Sequence, residues 1–448
     1  MPTATYPIPS QDVPVLGTCD VVVCGGGPAG CAAALAAARH GARVLLAESQ
    51  GYLGGAPCTQ NVVPILSTNG VDFQGVWHEW ARALQQRNGI TELHREARCG
   101  TTWFGGSTNP EAIKLVWDDL LAAAGVQILH FAHATGAIVE ESTIKGVVLH
   151  VKSGPAVVLA KRVVDATGDG DVCAYAGCQF EQGTGGMPWA MGVSLNGWYG
   201  NVPVAEDYVP GWGNPAGGTG RSLGNTPLFQ AGLLRMLEID PLDPWDLSRS
   251  MREGRRQIWE RLQAKRQTPN CEGVFLAGTA PFPGVRSSRR IRGLKVSTKA
   301  DALELRKHAD GIARSSWEVD IHSAVDPKRK PVMDCPEYAN RMRRTEAGDY
   351  YDIPYGCLVA ADVDHLFMAG RCISAEHESQ ASLRIQQTCM SLGQAAGTAA
   401  ALSIEADVSP QHLDVPKLVA QLRQDRDAVE PAFVLAGSSP DTASPSGR

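Results

Sequence analysis

The run Gly25-Gly26-Gly27-Pro28-Ala29-Gly30 has the G-x-G-x-x-G spacing. In that pattern Gly25 permits a tight turn, Gly27 lets backbone approach a pyrophosphate, and Gly30 lets a helix pack on a strand. A helix beginning at Pro28 points the amides of its first turn, through Ala29 and Gly30, at the anion. Glu48 follows roughly 20 residues on, at the end of the next apolar run, where its carboxylate can accept ribose hydroxyls. The glycine pattern alone is weak; a strand before it, a helix after it and the acid beyond make it a dinucleotide site. Directly after Glu48, Gly51-Tyr52-Leu53-Gly54-Gly55 supplies a second glycine loop, which NAD domains rarely need and which points to FAD as the cofactor. The nearest approach to a second nucleotide fingerprint is Gly218-Thr219-Gly220. Pro210 and Pro215 deny it a preceding strand, so it reads as a loop.

These residues need a βαβ unit to position them. Asp20 to Cys24 reads as a strand, Pro28 to His40 as an alanine-rich helix and Arg43 to Glu48 as the second strand. Glu111 to Ala124 has helical spacing. Val126 to His130, Ile144 to Val151 and Ala156 to Leu159 read as strands of a meander, and Val163 to Ala166 as a return to the first sheet. Between about 182 and 330 the texture changes to Gly, Pro and Trp-rich loops with basic helices. Apolar patterning resumes from Tyr350, with Leu366 to Ala369 as a strand and Leu383 to Ile404 as largely one helix. Ser409 as N-cap and Pro410 in the first turn announce a last helix over Gln411 to Arg426.

The expected fold is α/β: a discontinuous Rossmann-like FAD-binding domain with an inserted α+β substrate or cap domain. The boundaries expected are 15–181 for the first part of the FAD-binding domain, 182–345 for the cap and 346–430 for the closing part. A Ser, Pro and Gly-rich tail, 437–448, is expected to be disordered.

The 448 residues are 44% hydrophobic and 20% charged with a formal net charge of -6, which fits a globular chain with an ordinary core. That balance argues against general affinity for nucleic acid or an anionic membrane, leaving a small-molecule substrate as the expected partner. The 12 cysteines lack C-x-x-C clustering, so no metal or iron–sulfur site is expected and the thiols read as reduced and buried. Met1 to Gln11 has neither a basic nor an apolar leader region, and no membrane span stands out, so a cytoplasmic location is the expectation. Nothing in the spacing sets an oligomeric state.

The order of motifs resembles the FAD-dependent oxidoreductases of the fumarate-reductase-like, glutathione-reductase-type flavoprotein superfamily. The resemblance runs through the Gly51 to Gly55 loop, Asn109-Pro110-Glu111-Ala112 and Gly125-Val126. It continues through Val164-Asp165-Ala166-Thr167-Gly168-Asp169-Gly170-Asp171, Gly284 to Ile291, Trp317 to His322, Tyr355 to Leu358, Ala369-Gly370-Arg371 and His377 to Gly397. It implies that Thr167, Gly168 and Asp169 lie beside the FAD diphosphate and ribose, and that Gly370, Arg371 and Gly393 complete the site near the isoalloxazine ring. The family usually has an acid where Ser287 stands, so any role of that acid in orienting an arginine or substrate is missing here or taken by another group.

A flavin that accepts hydride needs a nearby group to take the substrate's proton, or a donor to stabilise the reduced ring. His377 and Arg384, seven residues apart, would share a helix face if the helix is continuous between them. The competing readings are a structural imidazole and an interdomain salt bridge. Arg286 and Arg289, with Arg290 and Arg292, either grip a substrate carboxylate or phosphate or line an interface. Cys58 reads as a buried thiol rather than a redox partner or covalent flavin anchor. Arg249 to Arg266 read as the solvated face of a helix, and Trp189, Trp198, Tyr199 and Trp212 wall a pocket or pack a core.

The leading expectation is dehydrogenation of a small organic substrate by hydride transfer to flavin N5, with oxygen, quinone or a separate electron carrier reoxidising FAD. The alternatives are an NAD(P)H- and oxygen-using FAD monooxygenase and a redox-neutral flavoenzyme of isomerase or lyase type. A subunit that only relays electrons is the non-enzymatic reading.

Overall fold

The computed structural model describes residues 6, 12–68, 70–71, 73–98, 101–204, 222–231, 234–326, 328–329 and 349–428. Trp212, Gly218 to Gly220 and the tail 437–448 lie outside the described residues.

Seven strands form the main sheet. Strand β1 (Val15–Cys24) is central, with β2 (Val44–Ala47) parallel on one side and β3 (Gln127–Leu129) parallel beyond it. Val21, Val22 and Val23 are wholly buried, as β-branched residues of a strand covered on both faces should be. On its other side β1 pairs with β6 (Gly154–Asp165) in parallel, Val23 opposite Val164. The two short strands expected at 156–159 and 163–166 are one continuous strand. Its first half pairs antiparallel with β5 (Thr143–Val151), which pairs with β4 (His133–Glu140). Its last residues pair parallel with β7 (Leu366–Met368). One strand thus joins the meander to the nucleotide half, and the chain returns about 200 positions later to complete the sheet, as a discontinuous Rossmann-like arrangement requires.

Helix α1 (Pro28–Arg39) connects β1 to β2 and buries an almost unbroken alanine face. Small side chains there allow close approach by a later helix. A Cβ on Gly393 would stand 1.9 Å from the carbonyl oxygen of Ala29, and one on Gly397 2.1 Å from that of Ala33. Gly393 therefore serves helix packing. Helix α2 (Pro110–Ala123) is capped by Asn109, whose side chain accepts from the Glu111 amide.

A second hydrophobic core gathers Val193, Leu195, Tyr199, Phe229, Ile258 and Leu262 with their neighbours. It lies among five short strands and the long helix α3 (Pro244–Arg266), capped by Asp243 with Pro244 at its first turn. Tyr199 and Trp198 are buried in packing, and the Tyr199 hydroxyl donates to the carbonyl of Ile258. Arg249 and Arg256 make surface pairs with Asp246 and Glu260 along α3. A three-stranded sheet from Pro64–Thr68, His94–Arg98 and Thr101–Ser107 has no counterpart in the sequence reading. Just before its first strand, Val63 packs with Trp198 and Leu223 in a small third cluster.

The helix expected over Leu383 to Ile404 is α5 (Gln386–Glu405), preceded by a separate α4 (His377–Leu383) that ends at Arg384, with Ile385 in extended backbone between the two. One expectation near the C-terminus is corrected. Ser409 does not cap the last helix. It caps a single 3-10 turn, Pro410–His412, and α6 (Val415–Ala428) starts after it. No described helix is long and apolar enough to cross a membrane.

Candidate active site

A cavity of about 620 Å³ runs from the C-terminal ends of β1 and β2 to the second core. Ligands of open parallel sheets sit at these strand ends. Gly25, Gly27, Pro28, Ala29, Glu48 and Gly55 line one end. Gly25 adopts a φ of +99°, and a Cβ on it would meet the Ala166 carbonyl oxygen at 2.5 Å. A Cβ on Gly30 would lie 1.7 Å from the carbonyl oxygen of Gly25, so helix and turn touch there. The N-terminus of α1 has no side-chain cap and no acid in its first turn, leaving its amides to an anion.

Glu48 holds this end in shape. One carboxylate oxygen accepts from the Gly26 amide at 2.6 Å, the other from the Gln50 amide at 2.8 Å and the Ser49 hydroxyl at 2.9 Å. The second glycine loop closes on the first through a 2.8 Å bond from the Gly54 amide to the Gly26 carbonyl. Asp165, fully buried at the end of β6, accepts from the Thr167 amide and hydroxyl and from the Cys173 amide. That fixes the Thr167-Gly168-Asp169 turn, all three residues of which line the cavity. Arg371 donates to the Gly168 carbonyl at 2.7 Å, to Asp169 Oδ1 at 2.5 Å and to the Val285 carbonyl. Two glycine loops, an uncapped helix N-terminus and an acid after the second strand fit a dinucleotide such as FAD.

Arg286, Asp320, His322 and Arg384 line the cavity toward the second core, with Asn196 and Trp317. Asp320 Oδ2 lies 3.1 Å from His322 Nε2 and 3.3 Å from Arg384 Nη2. Arg384 also donates to the Asp320 carbonyl at 3.0 Å. Arg286 Nη1 donates to the Gly192 carbonyl at 2.6 Å, while the Gly192 amide donates to the His322 carbonyl at 3.0 Å. Burial first, then the Arg286 guanidinium, hold the His322 imidazole down at about 4, so it is neutral at pH 7. Burial and the neighbouring Arg384 bring even Arg286 down to about 9. Although burial opposes it, the hydrogen bond from His322 and the charges of Arg384 and Arg286 hold the Asp320 carboxyl well below the usual carboxylate range.

The expected site residues separate into three positions. Gly25, Gly27, Pro28, Ala29, Glu48, Gly55, Thr167, Gly168, Asp169, Gly370, Arg371, Arg286 and Arg384 line the cavity. Gly30, Gly54 and Gly393 stand behind it, supporting loop and helix contacts. His377 and Arg289 are outside the lining. Arg289 is held by Asp171 Oδ1 at 2.8 Å and the Asp169 carbonyl at 3.0 Å. Arg290 is held by Glu181 and Arg292 by Gln179, so Arg286 alone of the four arginines faces the cavity among the described residues. His377 is partly buried, its imidazole driven down to about 4 by desolvation and by Arg290 and Arg384. The helix is continuous between the expected pair, α4 running from His377 to Leu383 with Arg384 as its C-cap, yet Arg384 lines the cavity and His377 does not. Ser287 Oγ is buried without a hydrogen-bond partner, and Asp169, not a residue at 287, pairs with Arg371.

Cys58 is a buried thiol bonded to the Pro110 carbonyl, its pKa pushed up to about 12 by burial. Among the described residues no group of three His, Cys, Asp or Glu side chains could hold a metal ion.

Asp320 and His322 were given no role in the sequence reading. Their signal was the alternation Val319-Asp320-Ile321-His322, which sends two apolar side chains into the main core and two ionisable ones the other way.

A family model described as FAD dependent oxidoreductase matches residues 20–188 and 216–422. No curated protein sequence gives a significant match. Among solved structures the chain resembles a geranylgeranyl bacteriochlorophyll reductase-like protein from Thermoplasma acidophilum, with 13% identity and a TM-score of 0.45 over 93% of this chain and 88% of the other. It also resembles an anhydrotetracycline hydroxylase from Streptomyces rimosus, with 12% identity and a TM-score of 0.48 over 92% and 68%. A third is p-nitrophenol 4-monooxygenase from Pseudomonas putida, with 16% identity and a TM-score of 0.41 over 62% and 70%.

Proposed function

The chain belongs to the FAD dependent oxidoreductases, and from that premise we propose that this enzyme dehydrogenates a small organic substrate in the cavity between its glycine loops and the Arg286–Asp320–His322–Arg384 cluster. The observation that carries this reading is the continuity of that cavity: the dinucleotide loops line one end and a neutral, carboxylate-oriented imidazole lines the other. FAD bound there supplies the acceptor for a hydride at N5.

The protein's own groups do the rest. The α1 amides, Gly27 and Gly55 would hold the pyrophosphate, Glu48 the ribose, and the Thr167 to Asp169 turn with Gly370 and Arg371 the middle of the cofactor. The hydrogen bond from His322 Nε2–H to Asp320 leaves the Nδ1 lone pair to accept a substrate proton. Arg384, anchored by Asp320, contributes fixed positive charge. The base is assigned to His322 rather than His377 because His322 lines the cavity.

The test compares flavin reduction in the wild type, His322→Ala and His377→Ala by whichever sugar, hydroxy acid, amine or phenol bleaches the yellow protein anaerobically. His322→Ala should slow reduction by about 100-fold or more, with His377→Ala within a few-fold of wild type. Equal rates in wild type and His322→Ala would remove the assigned base.

A further inference from the structure

The cluster at the end of the cavity is unbalanced in charge. Arg286 and Arg384 bring two guanidinium groups, Asp320 brings one carboxylate, and His322 is neutral. Asp320 bonds Arg384 and His322, whereas the one hydrogen bond of Arg286 among the described residues goes to the carbonyl of Gly192. Arg384 Nε is buried with no partner among the described residues. A buried cation is ordinarily paired, and guanidinium forks pair planar oxyanions through two parallel bonds. Two such forks at one end of a cavity suit an anion.

Position narrows its chemistry. Asp320 Oδ2 touches both the His322 ring and the Arg384 guanidinium, and the Gly192 peptide bridges Arg286 to the backbone of His322. An oxyanion held by the arginines therefore lies in the same end of the cavity as the imidazole. An ammonium beside them would be repelled by the same excess positive charge; a hydroxyl would not. A carboxylate with a hydroxyl on the adjacent carbon meets both requirements.

We infer that Arg286 and Arg384 form a carboxylate subsite and that the substrates are α-hydroxy acids, whose hydroxyl is presented to His322. This rests on the dehydrogenation reading above. The substrate loses a hydride from Cα to FAD and its hydroxyl proton to His322 Nδ1. The C–O bond becomes the carbonyl of an α-oxo acid, and the carboxylate stays on the arginines throughout.

The experiment has a binding arm and a reduction arm, both on the FAD-loaded full chain. α-Hydroxyisobutyrate carries the carboxylate and hydroxyl but no Cα hydrogen, so calorimetric titration with it reads binding without turnover. Anaerobic mixing with lactate and mandelate reads bleaching. The expected result is binding of α-hydroxyisobutyrate but not its methyl ester, weakened about 10-fold or more in Arg286→Gln and less in Arg286→Lys. His322→Gln should keep that binding within a few-fold while slowing bleaching by about 100-fold or more. Equal binding of acid and ester, or an unchanged affinity in both Arg286 variants, overturns the subsite. Bleaching by neutral alcohols or amines and not by α-hydroxy acids overturns the substrate class and leaves dehydrogenation standing. Arg286-dependent binding with no bleaching by any compound supports the subsite and sinks the dehydrogenation reading instead.

Discussion

A Cβ placed on Gly55 would stand 2.6 Å from the α carbon of Gly27, so the two glycine loops meet backbone against backbone beside the cavity. Gly55 also has a φ of +55°, where an L side chain is strained. Gly55→Ala should push the loops apart and cut the FAD retained on purification by about 10-fold, a loss of roughly 1.4 kcal/mol in cofactor binding. Gly17→Ala is the control, because a Cβ there meets nothing within 4 Å. Visible absorbance per mole of protein checks both; full flavin content in Gly55→Ala would detach this contact from cofactor binding.

Gly397 tests the packing that brings the closing segment onto α1. Alanine gains helix propensity over glycine by up to about 1 kcal/mol, but its Cβ would be driven to 2.1 Å from the Ala33 carbonyl oxygen. The clash is with backbone on both sides and should win. Gly397→Ala is expected to lose about 1–3 kcal/mol, read as a lower urea midpoint at unchanged slope.

Asp320 is the sole acidic side chain in hydrogen-bond contact with Arg384 and His322 among the described residues. Asp320→Asn keeps the shape, leaves Arg384 without its paired carboxylate and removes the negative charge that acts on Arg286. Breaking a buried pair from one side costs about 3–5 kcal/mol. Added α-hydroxyisobutyrate should recover part of the lost thermal stability, since it supplies a negative charge to the same place. An Asp320→Asn variant as stable as wild type would contradict the charge accounting.

How much of this was readable beforehand follows from how local each signal is. The Gly25 to Gly30 turn and Glu48 were legible because turn, helix start and acid lie within one βαβ unit. The role of Gly393 is not legible in the same way, because a glycine that admits a cofactor and one that admits the Ala29 backbone look identical in sequence. The break between α4 and α5 carries neither Pro nor Gly, so no residue type at Arg384 or Ile385 announces it. Asp320 and His322 went unassigned because their meeting with Arg286 and Arg384 joins segments more than 30 and 60 residues apart in the chain.

The pH dependence has a definite sign. His322 faces Asp320, Arg286 and Arg384, and in the free enzyme it protonates only as pH falls toward about 4. The profile of kcat/KM should therefore stay flat from pH 7 down to about 5 and fall below that on the His322 limb. A bound carboxylate offsets the arginines, so the acid limb of kcat should lie at higher pH. Burial of His377 acts on stability in the same window. Its folded pKa of about 4 is below the ordinary 6.5, so the unfolded chain takes up the proton first and stability falls as pH drops through that range. His377→Gln should remove a slope on the order of 1 kcal/mol per pH unit there, read from urea midpoints between pH 6.5 and 4.

The most direct measurement of the central claim is anaerobic mixing of the purified yellow protein with a panel of hydroxy acids, sugars, amines and phenols, with and without NAD(P)H, while the visible flavin absorbance is followed. A dehydrogenase bleaches on contact with its substrate alone and forms one oxidised product per FAD. A flavin that stays oxidised with every compound and bleaches only when NAD(P)H is added would contradict the account and identify a monooxygenase.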